Sequence, residues 1–175
     1  MNIPIVYNTN AYDALHVLKL LDGIVDIYLP DFKYFDNEAA WQYSKVKNYV
    51  SIAKQAIKEM YRQVGQLQLN AHGVARKGLI IRHLILPNDL SNSKEILQWI
   101  AGELSPEIPV SLMSQYYPAH KANHYPLINR QIRYSEYVRV IDVMEKLGMN
   151  RGFIQEMDAP EYYLPDFEKE GHPFE

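Results

Sequence analysis

Two kinds of apolar pattern alternate along the chain. Short apolar blocks rich in β-branched residues occur at residues 3–7, 24–29, 79–86 and 109–113. Each reads as a buried strand. Between them the apolar residues recur every three or four positions. Leu15, Leu18 and Leu21 share one helical face over residues 12–21, with Asp13 in the first turn and Gly23 suited to the end. Residues 37–44 form a short helix. Asn48 opens a longer one running to about residue 63, with Val50, Ala53, Ile57 and Met60 along one side. Asn92 and Glu95 are spaced as a capping box for a helix through residue 104, and residues 135–147 form another that Gly148 stops. Residues 66–70 and 74–77 flank His72-Gly73 and read as an inserted β-hairpin. Residues 151–154 read as a last short strand. Residues 114–128 form a long polar and aromatic loop.

Strand followed by helix, repeated, is the α/β signature, and right-handed crossovers turn it into a parallel sheet. Such a sheet is either open or curled into a barrel. Three or four buried strands are few for a parallel sheet standing alone, and the first strand lacks a leading cap, so the pattern predicts that further strands complete it. The predicted division is an α/β domain over residues 1–155 and a Pro-containing tail over residues 156–175.

Composition narrows the chemistry. Of 175 residues, 47% are hydrophobic and 22% charged, which is ordinary for a globular domain. A net charge of −3 gives no basic footprint for a nucleic-acid partner. The apolar runs are interrupted by Asp, Lys or Arg, and the first residues have no basic segment followed by an apolar one. No membrane span and no secretory leader are therefore expected, and the expected compartment is the cytoplasm. The sequence contains no cysteine, so it offers no thiolate to a metal or an iron–sulfur cluster. No Walker loop, dinucleotide fingerprint or nucleophile elbow is present.

In parallel α/β folds, ligands sit at the carboxyl ends of the strands. The residues there are Asn8, Thr9 and Asn10, then Asp31 and Lys33, then Arg82, His83, Asn88 and Asp89, then Gln115, Tyr116, Tyr117, His120 and Lys121. Asp31 and Lys33 are two apart and point the same way from an extended chain. They read either as the grip on a polar ligand or as a rim salt bridge contributing about 0–1 kcal/mol. Arg82 and His83 face opposite sides of one strand, and His83 is expected to be a core histidine with satisfied nitrogens. His120 and His124 have metal-ligand spacing, but Pro118 and Pro126 oppose a helix there and no third ligand stands out. The tyrosines around them read as a loop packed by its own rings or as a substrate-facing wall.

Four strings, in order, resemble one family: residues 5–12, residues 20–33, residues 81–87, and residues 112–116 followed by Pro118. The chain is similar to radical S-adenosylmethionine proteins of the pyruvate formate-lyase activating type, over residues 3 to about 155. The resemblance implies the C-terminal portion of a partial (β/α) TIM-like barrel, lacking the CxxxCxxC segment that binds a 4Fe–4S cluster in the family. It implies cofactor positioning by Asn8, Thr9, Asp31, Lys33, Arg82, Gln115 and Tyr116. The better-known activating enzymes carry Asp where Asn8 stands and Gly where Ala11 stands. In the family, the reduced cluster cleaves S-adenosylmethionine to a 5′-deoxyadenosyl radical, which in the activating enzymes takes hydrogen from a protein glycine. Neither cluster nor cofactor is expected on this chain alone, and no metal site or catalytic residue is assigned to it. The implied partners are the missing N-terminal half of the barrel and a glycyl-radical protein substrate; the unpaired strand edges of a half barrel also predict association with a second copy of this chain. The alternative function is a non-catalytic binding or assembly domain that completes a barrel in trans.

Overall fold

A computed structural model describes residues 3–155; the predicted tail, residues 156–175, lies outside the described residues. The element order is β1 (Val6–Thr9), α1 (Leu15–Leu20), β2 (Ile27–Pro30), α2 (Asn37–Ser44), α3 (Tyr49–Val64), β3 (Gln68–Leu69), β4 (Ala75–Leu79), β5 (Ile81–Leu84), α4 (Ser93–Glu103), β6 (Val110–Met113), α5 (Tyr134–Lys146) and β7 (Phe153–Ile154). The protein is a mixed α/β fold with parallel sheets, as the alternating pattern predicts.

β1 pairs with β2 in parallel, Val6 opposite Ile27 through Thr9 opposite Pro30. β2 pairs in parallel with β4, and a further parallel bridge joins Asp31 to Arg82. β4 and β5 follow one another with only Ile80 between them. β5 then pairs with β6, Ile81 opposite Val110, and β6 with β7. Along the two linked sheets each parallel strand therefore lies beside the next one in the chain. β3 and β4 form the antiparallel hairpin, with an irregularity at Gln68 and Leu69.

One sheet face carries the core. Tyr28, Phe32, Leu79, Ile81 and Ile85 pack with Leu18 of α1, Ile57 and Met60 of α3, and Ile96 and Ile100 of α4. At about 25 cal/mol per Å² of apolar surface, this layer is the main favourable contribution to folding. The alternate residues Leu29, Asp31, Lys33, Ile80, Arg82, Leu84 and Ser111 lie on the other face and are only half-buried. No helix among the described residues is long and apolar enough to cross a membrane.

Several local expectations change. The first strand is not buried: Ile5 and Val6 are 52% and 51% exposed, because β1 is the end strand and nothing described covers its outer side. The helix over residues 12–21 shortens to Leu15–Leu20, since Asp13 is drawn off to bind Tyr7 and Thr9. Asn92 makes no capping bond; Asp89 Oδ1 instead accepts the Ser93 N–H at 3.3 Å. Asn48 likewise precedes α3 with left-handed backbone and no side-chain cap. By contrast, α2 spans the expected residues, its start capped by Asp36, whose carboxylate accepts the N–H groups of Glu38 and Ala39.

Candidate functional site

The sequence places candidate ligand groups at strand ends, and the parallel register decides which of them meet. Asp31 directly follows β2, and Arg82 is its bridge partner in β5. Their side chains lie on the same face, and Arg82 Nε donates to Asp31 Oδ1 at 2.7 Å. Lys33 Nζ lies 3.5 Å from Asp31 Oδ2. The carboxylate is 14% exposed, against 32% and 38% for the arginine and lysine side chains. One carboxylate thus sits between two cations and leaves the cluster net positive. Nε is occupied, but the guanidinium's two terminal amino groups have no protein partner among the described residues. A group with both an ammonium and a carboxylate fits this arrangement. Asp31 would accept from the former, and Lys33 and Arg82 would donate to the latter.

Tyr49, absent from the sequence reading of the site, holds the loops in place. Its hydroxyl lies 2.9 Å from the Asp31 carbonyl and 3.2 Å from the Asn10 carbonyl, and accepts the Lys33 N–H at 2.9 Å. Burial pushes its phenol well above the ordinary value, so it stays protonated. Its ring packs edge-on against Tyr34 and stacks against Tyr12. The available signal was only an aromatic residue at the start of a helix, which is ambiguous without the fold.

The other candidates divide. Asn8 is exposed on the Asp31 face, opposite Leu29 in the register. Thr9 points away from it: its hydroxyl donates to Asp13 Oδ2 at 2.6 Å and accepts the Ala11 N–H, so it organises the turn before α1. Ala11 takes the left-handed conformation there, with φ of 60°, where the resemblance leads one to expect Gly. Gln115 follows β6 and accepts from Gln155 Nε2 at 3.0 Å. Tyr116 turns to another place. Its hydroxyl donates to the Ile128 carbonyl at 2.7 Å, and its ring lines a cavity of about 240 Å³ with Tyr34, Tyr43, Tyr117 and Tyr125. His120 lines the same cavity. No group of three or more metal-ligating side chains occurs among the described residues.

His83 behaves as its position predicts. It is fully buried, with Nδ1 2.7 Å from the Phe32 carbonyl and Nε2 2.9 Å from Ser93 Oγ. A carbonyl only accepts, so Nδ1 carries the proton and Nε2 accepts from the serine. Burial pushes its pKa down to about 4. The ring ties the Asp31 loop to the start of α4 and lies on the opposite face of β5 from Arg82.

Fold and site together define a parallel α/β protein with a charged cluster at its strand ends. No protein-family model matches the chain. It is 37% identical over 150 residues to an uncharacterized protein of Methanocaldococcus jannaschii. That match covers 85% of this chain and 40% of the relative, so the chain spans about two fifths of the length of the curated relative it matches.

Proposed function

We propose that this chain is the C-terminal portion of a partial (β/α) barrel enzyme of the radical S-adenosylmethionine type. It positions the cofactor, contributes part of the substrate wall and is inactive alone. The observation that carries the reading is Asp31 held between Lys33 and Arg82 on neighbouring parallel strands. Three further features support it. Each parallel strand neighbours the next in the chain, which is how a (β/α) barrel is wound, whereas doubly wound sheets reverse direction. Right-handed crossovers in that order keep the helices on one side. The opposite face is half-exposed although parallel sheets are ordinarily covered on both faces, and closure into a barrel would cover it.

The donor set fits one implied group and not the other. The amino and carboxylate ends of S-adenosylmethionine match Asp31 on one side and Lys33 with Arg82 on the other. The amides of Asn8 and Gln115 can both donate and accept at the strand ends. Bound there, the cofactor supplies an activated sulfonium carbon. This chain's residues orient its methionine end and screen its charges. An iron–sulfur cluster requires thiolates and this sequence has none, so no step here runs through one.

The test has two arms. Calorimetry of the chain alone with S-adenosylmethionine should show no binding in the micromolar range. Anaerobic reconstitution with a barrel half bearing CxxxCxxC should yield 5′-deoxyadenosine, and Asp31→Asn should abolish it. Micromolar binding by the isolated chain, or turnover indifferent to Asp31→Asn, would overturn the proposal.

A further inference from the structure

A second cavity, of about 350 Å³, opens between the turn after β5 and the start of α5. No residue of the Asp31 cluster lines it. Its floor is apolar and closed: Ile85, Leu86 and Val140 are 1%, 7% and 6% exposed. One wall is a rigid clamp. Arg130 grips Glu136 with both terminal nitrogens, at 2.7 and 2.8 Å, and also donates to Asn88 Oδ1 at 2.9 Å. The Asn88 and Arg133 N–H groups donate to the same carboxylate, each at 2.7 Å. Glu136 is thereby satisfied, and the clamp fixes Asn88 and Asp89, two consecutive residues with left-handed backbone.

The remaining charges are not balanced. Arg62, Arg82, Arg130 and Arg151 each have a carboxylate oxygen within 2.9 Å. Arg133 and Arg139 have none among the described residues, and both line this cavity, with the Ser135 hydroxyl between them in sequence. The lining holds three guanidiniums, Arg130, Arg133 and Arg139, against two carboxylates, Glu136 and Asp89. Arg130 cancels Glu136, and Asp89, whose Oδ1 accepts the Ser93 N–H, keeps its charge, so the lining carries one positive charge in excess. The volume lies within the range of roughly 300–1,000 Å³ usual for small-molecule sites. It also adjoins the carboxyl end of a parallel strand, where such sites form.

We propose that this cavity binds an organic oxyanion, a carboxylate or phosphate ester with an apolar body. Arg133 and Arg139 grip the charged end, and the Ile85–Leu86–Val140 floor covers the rest. The site stands independently of the cofactor reading above. Guanidiniums suit the task because their planar fork matches two oxygens at once.

The test uses the full chain and three probes: inorganic phosphate, butyl phosphate and hexanoate. Binding is followed by calorimetry, and by NMR shifts of the Ile85, Leu86 and Val140 methyl groups. Butyl phosphate or hexanoate should bind roughly tenfold more tightly than inorganic phosphate and shift those methyls. Comparison of the two organic probes identifies the preferred head group. Arg133→Ala and Arg139→Ala should each weaken binding about tenfold, a loss matching one charge-assisted contact. Lys at either position should retain part of the affinity, while Arg151→Ala, away from the cavity, should leave it unchanged. Both arginines are exposed, so folding is preserved and circular dichroism verifies it. Equal affinity in the alanine variants, no preference for the organic probes, or unshifted methyls would each overturn the proposal.

Discussion

The pH dependence of stability reports directly on His83. In the unfolded chain its imidazole titrates near the ordinary 6.5, and in the folded protein burial lowers this to about 4. Between those values the unfolded chain binds a proton that the native core refuses. The stabilisation is therefore fully present above pH 6.5 and drains away as pH falls toward 4. Each pH unit inside that window corresponds to 1.36 kcal/mol, so acidification from pH 7 to pH 5 should cost about 2 kcal/mol from this residue. Glu59 and Glu136, both held near 2 chiefly by hydrogen bonds from arginine, lose their stabilisation below 4.5 and so outside this window. The assay is urea unfolding at pH 7 and pH 5, for the natural chain and for His83→Asn. Asparagine retains a donor for the Phe32 carbonyl but does not titrate. The variant starts less stable, yet its loss on acidification should be smaller by about 2 kcal/mol, on the same linkage arithmetic. An equal loss in both proteins, or none in the natural chain, would refute the reading of a neutral core histidine.

Two further outcomes follow from the fold. Gly78 has φ of +127°, and a Cβ there would stand 2.5 Å from the Leu67 Cα and 2.6 Å from the Gln66 carbonyl oxygen. Gly78→Ala should therefore destabilise by roughly 3 kcal/mol, read as a clear fall in Tm, because the obstruction is backbone that cannot step aside. Among the described residues the outer edge of β1 is unpaired, and with Ile5, Val6 and, on α1, Leu20 exposed it should drive self-association visible by light scattering. Ile5→Lys with Leu20→Lys should restore a monomer, and a natural chain that is already monodisperse would argue against a sticky edge.

Most elements were legible because their determinants lie within a few residues. The spacing of Val50, Ala53, Ile57 and Met60 marks α3, and the apolar run through Ile81 and Ile85 marks β5. Asp31, Lys33 and Arg82 were candidates from strand-end position, and His83 was assigned to the core by the alternation that turns Arg82 the other way. The hidden parts depend on distant partners. Thr9 and Asn8 are neighbours in sequence, but the pleat sends one to Asp13 and the other to the face that carries Asp31. Tyr49 anchors Asp31 across 18 residues, and Asn88 meets Arg130 across 42.

The sequence by itself determined the order of strands and helices, because periodicity and turn chemistry act over one or two turns of chain. It also excluded thiolate chemistry, because a missing atom type cannot be supplied by folding. Only the tertiary structure decided that Asp31 meets Arg82, that β1 is the end strand of its sheet, and that Arg133 and Arg139 border one cavity without an ion-pair partner among the described residues. Those outcomes depend on register and packing between segments tens of residues apart, where contact follows from the path of the whole chain.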